Sequence, residues 1–204
     1  MIGPLLQRTG DPLRVGEDAD GPADALGLYE LSSIARGHVV TDAMCKRSPV
    51  ELVLARPVSP GKYLVLVIGA VADVDEAMII GKDAAGDALV DVLHLAQVAP
   101  ELIRALRGKR DDIDDRAMGV IETLSVASAL LAADAACKSA NVALIALRLA
   151  DGIGGKAYFT VQGEQHDVEA ALFAADAIVK PELMAGHELV ARPHESLVTE
   201  LQRG

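Results

Sequence analysis

The chain contains itself twice. DAMCKRSPVELV at 42–53 is answered by DAACKSANVALI at 134–145, in each case an acid, small residues, a cysteine and a lysine running into an apolar stretch, 92 residues apart. The same separation carries ALGLYEL at 25–31 onto AMGVIET at 117–123, matching Gly27 with Gly119 and Glu30 with Glu122, and carries Arg56 onto Arg148. Further on it becomes 94: Gly61 and Lys62 match Gly155 and Lys156, Gly69 matches Gly163, and ADVDEAM at 72–78 matches HDVEAAL at 166–172. A recurring offset marks a duplicated structural unit. The two residues gained between Arg148 and Gly155 belong in an exposed loop, where insertions are tolerated.

In 204 residues the duplication leaves two domains of roughly 85 to 90 residues each, a common domain size. The expected boundaries are an arm over 1–24, a first domain over 25–107, a linker over 108–116 and a second domain over 117–204. Hydrophobic residues make up 51% but aromatics only 2%, so the cores must be built from closely packed Ala, Val, Leu and Ile. The longest apolar run, YLVLVIGAVADV from Tyr63, is interrupted by Asp73, well short of the ~20 residues a bilayer helix needs. No basic segment followed by an apolar one opens the chain. A net charge of −11 with so few aromatics excludes nucleic acid, which demands a cationic footprint and stacking platforms. The two cysteines, Cys45 and Cys137, occupy matching positions and read as two reduced, buried thiols of a cytoplasmic protein.

Residues 1 to about 23 mix Gly, Pro and acids without a period and read as a surface arm. Each copy then opens on a strand, LGLYEL or MGVIET, followed by a helix of about fifteen residues. In copy two Val126, Leu130, Ala133 and Cys137 share one face, which points Cys137 inward. Lys138 falls near the helix C-terminus, where a cation suits the dipole. Two β-rich runs follow in each copy, VELVLA with KYLVLVIG and NVALIALRL with KAYFTVQG, joined by Pro- or Gly-rich turns as hairpins. A second helix is expected to be capped by Asp73 or Asp167. Copy two closes on a strand HELVARP and a helix HESLVTELQ; copy one ends less distinctly in LVDVLHLAQ and PELIRALR. RGKRDDIDDR at 107–116 reads as a solvated linker, lacking the spacing and turn glycine of a calcium loop. The order strand, helix, hairpin, helix, strand predicts an α+β unit, an antiparallel sheet of ferredoxin-like size with helices on one face.

Catalytic and ligand-binding patterns are not met. GIGGK and SPGK resemble phosphate loops only in their last residues, since Ala150 stands where the first glycine belongs and Ala157 or Tyr63 where Ser or Thr should follow. The histidines His38, His94, His166, His187 and His194 show no metal-ligand spacing with one another or with cysteine, so no metal is expected. No G-x-S-x-G nucleophile elbow occurs.

AMGVIET, AADAACKSANV, the glycine-rich DGIGGK, VQGEQHDVEAAL and LVARPH together resemble the bacterial microcompartment (BMC) shell domain from end to end. That family's pattern opens with A-x-G-x-x-E, continues through A-D-x-x-x-K-x-A-x-V, carries a glycine-rich pore loop and closes on R-P-H. Copy two matches nearly throughout; copy one keeps ALGLYEL, TDAMCKRSPVELV and PVSPGK but has HLAQVAP at the closing motif. The resemblance spans about 25–204, with both copies in the family's ordinary element order. It implies two tandem, unpermuted BMC domains and a homotrimer that mimics a hexamer. It also implies a structural tile without enzymatic activity or cofactor, set in a microcompartment shell of the bacterial cytoplasm beside other shell proteins. Some tandem relatives hold an iron–sulfur cluster through a loop cysteine, which both loops here lack.

The resemblance also assigns residues. Lys46 and Lys138 match the edge lysine that packs against a neighbouring tile, a role suited to a long apolar stem with a cationic tip. Arg192 matches the arginine of the seam, where copy one has Gln97 to Pro100. Pro57, Val58, Ser59, Pro60 and Gly61 with Asp151, Gly152, Ile153, Gly154 and Gly155 match the pore loop, alternating three and three about the axis. Glycines that accept positive φ leave amide N–H groups free for small polar metabolites; Ser59 adds a hydroxyl, Pro57 and Pro60 stiffen their loop, and the direction of Asp151 is left open. A duplicated α+β unit also fits an enzyme or a small-ligand-binding protein, and regular sheets or tubes of concentrated protein would separate the tile from that alternative.

Overall fold

The computed structural model describes residues 23–109 and 111–203. Of the arm expected over 1–24, residues 1–22 lie outside the described residues. Asp24 already belongs to the first sheet's hydrogen bonding, donating its N–H to Gly69 O at 3.1 Å and accepting from Val98 N–H at 2.8 Å.

The first copy runs β1 (Ala25–Leu31), α1 (Ile34–Arg47), β2 (Glu51–Val58), β3 (Lys62–Gly69), α2 (Val71–Ala85), β4 (Leu89–Ala96) and α3 (Pro100–Leu106). The second repeats it as β5 (Ala117–Thr123), α4 (Val126–Ser139), β6 (Ala143–Leu149), β7 (Ala157–Gly163), α5 (Gln165–Ile178), β8 (Met184–Val190) and α6 (Glu195–Arg203). Two four-stranded antiparallel sheets result, ordered β2-β3-β1-β4 and β6-β7-β5-β8. Even the irregularities are shared: the register shifts between Leu52 and Leu54 and between Leu144 and Ala146, and again at Glu30/Leu31 and Glu122/Thr123. Bulges kept at matched places act as designed features of the strand, not accidents.

Local chemistry explains where the elements begin. Ser33 and Ser125 cap α1 and α4, their hydroxyls accepting the N–H of Arg36 at 3.2 Å and of Ser128 at 3.1 Å. The expected caps Asp73 and Asp167 are not caps. α2 and α5 start earlier, behind Ala70 and Glu164, which make no side-chain cap bond. Each aspartate instead sits in the first helical turn, where a negative charge suits the dipole, and ties down the connection between the copy's first helix and its hairpin. Asp73 accepts from the Ser48 hydroxyl at 3.3 Å and Asp167 from the Asn141 N–H at 3.4 Å. Glycine is required on the central strands because a helix lies directly on them: a Cβ on Gly27 would stand 2.4 Å from Met78 Sδ, and one on Gly119 2.8 Å from Val168 Cγ1.

β1 is buried on both faces. Ala25, Tyr29 and Leu31 join α1 and α2 in one core with Val40, Met44, Tyr63 and Met78. Leu26 and Leu28, with Leu64, Leu66 and Ile68, belong to a second core that runs without a break into copy two. The ending of copy one, indistinct in sequence, is a strand and a helix, and the helix is shared between copies. α3 lies against β6 and α4, burying Leu102, Ile103 and Leu106. α4 in turn touches its own strands and also β4 and α3. Among the described residues no element of the other copy lies against α1, the match of α4, as α3 and β4 lie against α4, and Cys45 on it is exposed. That corrects the expectation of two buried thiols, since only Cys137 packs against the core.

Candidate functional site

The hairpin turns differ by more than the two residues that the change of offset adds, because β6 ends and β7 begins one matched residue further from the turn. β2 and β3 are joined by Ser59, Pro60 and Gly61, with a cis Ser59–Pro60 bond and Gly61 at φ 102°. β6 and β7 are joined by residues 150–156, closed by Ala150 N–H on Lys156 O at 3.0 Å, with Gly152, Gly154 and Gly155 all at positive φ. The φ values of 72°, 68° and 87° are ones that L side chains rarely adopt, which explains the run of glycines.

The two turns, some ninety residues apart in sequence, meet in space. A Cβ on Gly155 would lie 3.1 Å from Ser59 O and 3.3 Å from Pro60 Cδ, so the glycine permits the approach. Beside it the Arg56 guanidinium reaches Asp151 Oδ2 at 3.4 Å, both side chains mostly buried. Asp151 is therefore neutralised by a cation from the other copy and brings no free charge to the loops. Pro57, Ser59, Pro60, Gly61, Gly152 and Gly154 are exposed, whereas Val58 is buried in the core and offers no surface.

Lys46 and Lys138 stand in the last turns of α1 and α4. Each holds the aspartate one turn back, Lys46 on Asp42 at 2.7 Å and Lys138 on Asp134 at 2.6 Å. Arg192 is exposed in the bend after β8; its match, Gln97, is exposed with φ 55°. Gln97 sits two residues from Ala99, whose N–H donates to Asp134 at 2.8 Å. The closing segment of copy one thus lies beside Asp134 and Lys138 of copy two.

Two buried acids escaped the reading of the sequence. Glu30 on β1 accepts from Val126 N–H at 3.0 Å, and Asp134 accepts from Ala99 N–H, both across the junction between copies. Their signal was present as acids at matched positions in otherwise apolar elements, Glu30 with Glu122 and Asp42 with Asp134. Elsewhere the chemistry is quiet. Burial, then Glu101 and Asp134, push the Cys137 thiol up to about 12, far from a reactive thiolate. Among the described residues no cluster of three His, Cys, Asp or Glu side chains is placed to hold a metal, and no helix is long and apolar enough to cross a membrane.

Comparison with known proteins gives these features a family. The BMC domain model matches residues 25–98 and again 117–193. The bacterial microcompartment shell protein PduT of Citrobacter freundii is 37% identical over 183 residues, 89% of this chain and 100% of that protein. The carboxysome shell protein CsoS1 of Prochlorococcus marinus is 41% identical over 91 residues, 43% of this chain and 85% of that protein. Among solved structures, a microcompartment protein from Desulfitobacterium hafniense superposes with a TM-score of 0.81 at 37% identity, covering 85% of this chain and 97% of that one. Two domain matches in one chain, full-length similarity to a shell protein and the same double sheet lead to one conclusion: the chain belongs to the BMC-domain family, and it is a tandem-domain structural shell protein of a bacterial microcompartment, not an enzyme.

Proposed function

We propose that this shell tile is a homotrimer of six BMC domains, one over 25–107 and one over 117–204 in each chain, ringed around a central pore. The observation that carries the proposal is the contrast between α3 and α6. Leu102, Ile103 and Leu106 of α3 are buried against the second copy, while of the matching residues of α6 Leu197 is exposed and Val198 and Leu201 are only half-buried. α1 is likewise open where α4 is covered. Each chain thus carries one completed junction and the two unlike halves of a second. Such head-to-tail halves join chain to chain and close into a ring when the rotation permits.

In that ring the exposed parts of 57–61 and 151–155 face the axis as three copies of each, and backbone N–H groups at Gly152, Gly154 and Gly155 favour small polar metabolites. Because Arg56 offsets Asp151, the rim does not repel anions. Lys46, Lys138 and Arg192 form the outer edge against neighbouring shell proteins. Its corners alternate: Lys138 stands with Gln97 of its own chain, and Lys46 with Arg192 of the next.

Light scattering after size exclusion should give about 64 kDa, three times 21.3 kDa, and the concentrated protein should form flat lattices under the electron microscope. Replacing Lys46 and Lys138 together with Asp should abolish the lattices through like-charge contacts at each seam and leave the trimer. A stable monomer of the unaltered protein overturns the ring, and loss of the trimer in the double variant moves the lysines off the outer edge.

A further inference from the structure

The junction within the chain is held by two carboxylates. Glu30, with a side chain 3% exposed, takes Lys62 Nζ at 3.0 Å on Oε2 and the N–H of Val126, first residue of α4, at 3.0 Å on Oε1. Asp134, 9% exposed, takes Lys138 Nζ at 2.6 Å on Oδ2 and the N–H of Ala99, at the head of α3, at 2.8 Å on Oδ1. Neither N–H has an acceptor within its own helix. Each carboxylate therefore supplies across the junction what the helix start lacks, by a charge-assisted bond.

The matching groups stand half made. Glu122 spends both oxygens on Lys156, at 3.2 and 3.3 Å, with its side chain 40% exposed. Asp42 holds Lys46 at 2.7 Å through Oδ2 and is 61% exposed. By the residue matching, the N–H groups they lack are those of Ile34, first residue of α1, and His194, at the head of α6. His194 matches Ala99 in local geometry too, since the carbonyl of each accepts from the residues three and four further on. The seat is also present. α4 lies against β4, and the matching strand β8 borders a groove of about 370 Å³ lined by Val120, Glu122, Tyr158, Gly186, His187 and Glu188. Ile34, whose match Val126 is fully buried, is exposed and of a size to enter it.

We propose that in the assembled tile Glu122 of one chain accepts the Ile34 N–H of a second copy, and that the second copy's Asp42 accepts the His194 N–H of the first. Each junction between chains then repeats the carboxylate clasp inside the chain. The clasp carries more of the specificity between chains than within one, because the groove it closes is more polar: Tyr158 lines it where copy one has the fully buried Leu64. This inference rests on the trimer proposed above.

The test is sedimentation equilibrium of the full chain across a dilution series, with Glu122→Ala, Asp42→Ala and the milder Glu122→Gln beside the unaltered protein. Maleimide labelling of Cys45, which matches the covered Cys137, reports the same junction independently. Each alanine variant should raise the trimer dissociation constant at least about tenfold, as expected for a buried charge-assisted bond, and should speed Cys45 labelling, with Glu122→Gln between. Circular dichroism of the dissociated chains should be unchanged, because both acids are solvated there; Asp42→Ala, on an exposed helix face, is the variant that keeps its fold if Glu122→Ala does not. An unaltered trimer whose variants dissociate and label no more readily overturns the clasp and leaves the ring. An unaltered protein that stays monomeric overturns both.

Discussion

Burial sets the titration of a few residues far from water's values, and that makes stability depend on pH in a definite direction. Cys137 is held up to about 12 by burial and then by Glu101 and Asp134, and Tyr29 to about 12 by burial and then by Asp83, against a smaller opposing effect of a backbone hydrogen bond from Lys82. In the unfolded chain these groups ionise near about pH 8.5 and 10. Above the lower value the unfolded state gives up protons that the folded state keeps, so the stability they contribute is complete below about pH 8.5 and is lost as pH rises towards 12. Urea midpoints should therefore fall steadily from pH 9 to 11, and Cys137→Ala should flatten the early part of that slope. An equally steep slope in the variant would show that the thiol keeps its ordinary value in the fold. Cys45 differs because of where its helix stands: it is raised by partial burial and Asp42, yet exposed.

Among the elements, the same sequence pattern has two different energetic roles. Leu102 on α3 and Leu197 on α6 match residue for residue, but Leu102 is wholly buried and Leu197 is 42% exposed in the single chain. Leu102→Ser should cost about 2–5 kcal/mol of folding stability, the range for truncating a core leucine, with the polar hydroxyl adding to it. Leu197→Ser with Leu201→Ser should cost the isolated chain little and the trimer much. Thermal melts and sedimentation side by side read this contrast, and an equal loss of folding stability in both variants would place α6 in the chain's own core. The strands and helices were legible in the sequence because both copies repeat the same period, so β1, α1 and the hairpins could be checked against β5, α4 and theirs. α3 was harder to see because its apolar residues answer to the other copy and not to its own sheet. The caps of α2 and α5 were misplaced because an aspartate satisfies the first turn as well as the cap. The exposure of Cys45 and the meeting of Gly155 with Ser59 are set by tertiary placement, which no local pattern encodes.

At the scale of the whole molecule, duplication within one chain frees the two loop sets to differ. One is a three-residue turn with two nearby prolines, stiff and short of donors; the other is seven residues long with three positive-φ glycines. In the proposed ring of three chains the two loops alternate, so the proposed opening is threefold and the adaptable backbone N–H groups stand in three positions. Nothing within 4 Å would meet a Cβ on Gly154, whose φ is 68°, so the loop points its backbone into open space. Gly154→Leu therefore adds three bulky apolar groups without a clash inside the chain, at a local cost of about 1–2 kcal/mol for the left-handed backbone. That is small beside the stability of a domain of this size, so the trimer should form. Metabolite flux through assembled shells, or conductance of the trimer in a bilayer, should fall several-fold for small anions. Gly61→Leu, at φ 102° in the shorter turn and equally unobstructed, is the comparison that shows which loop narrows the opening. If flux is unchanged in both variants while the trimers remain intact, the pore does not run between these loops.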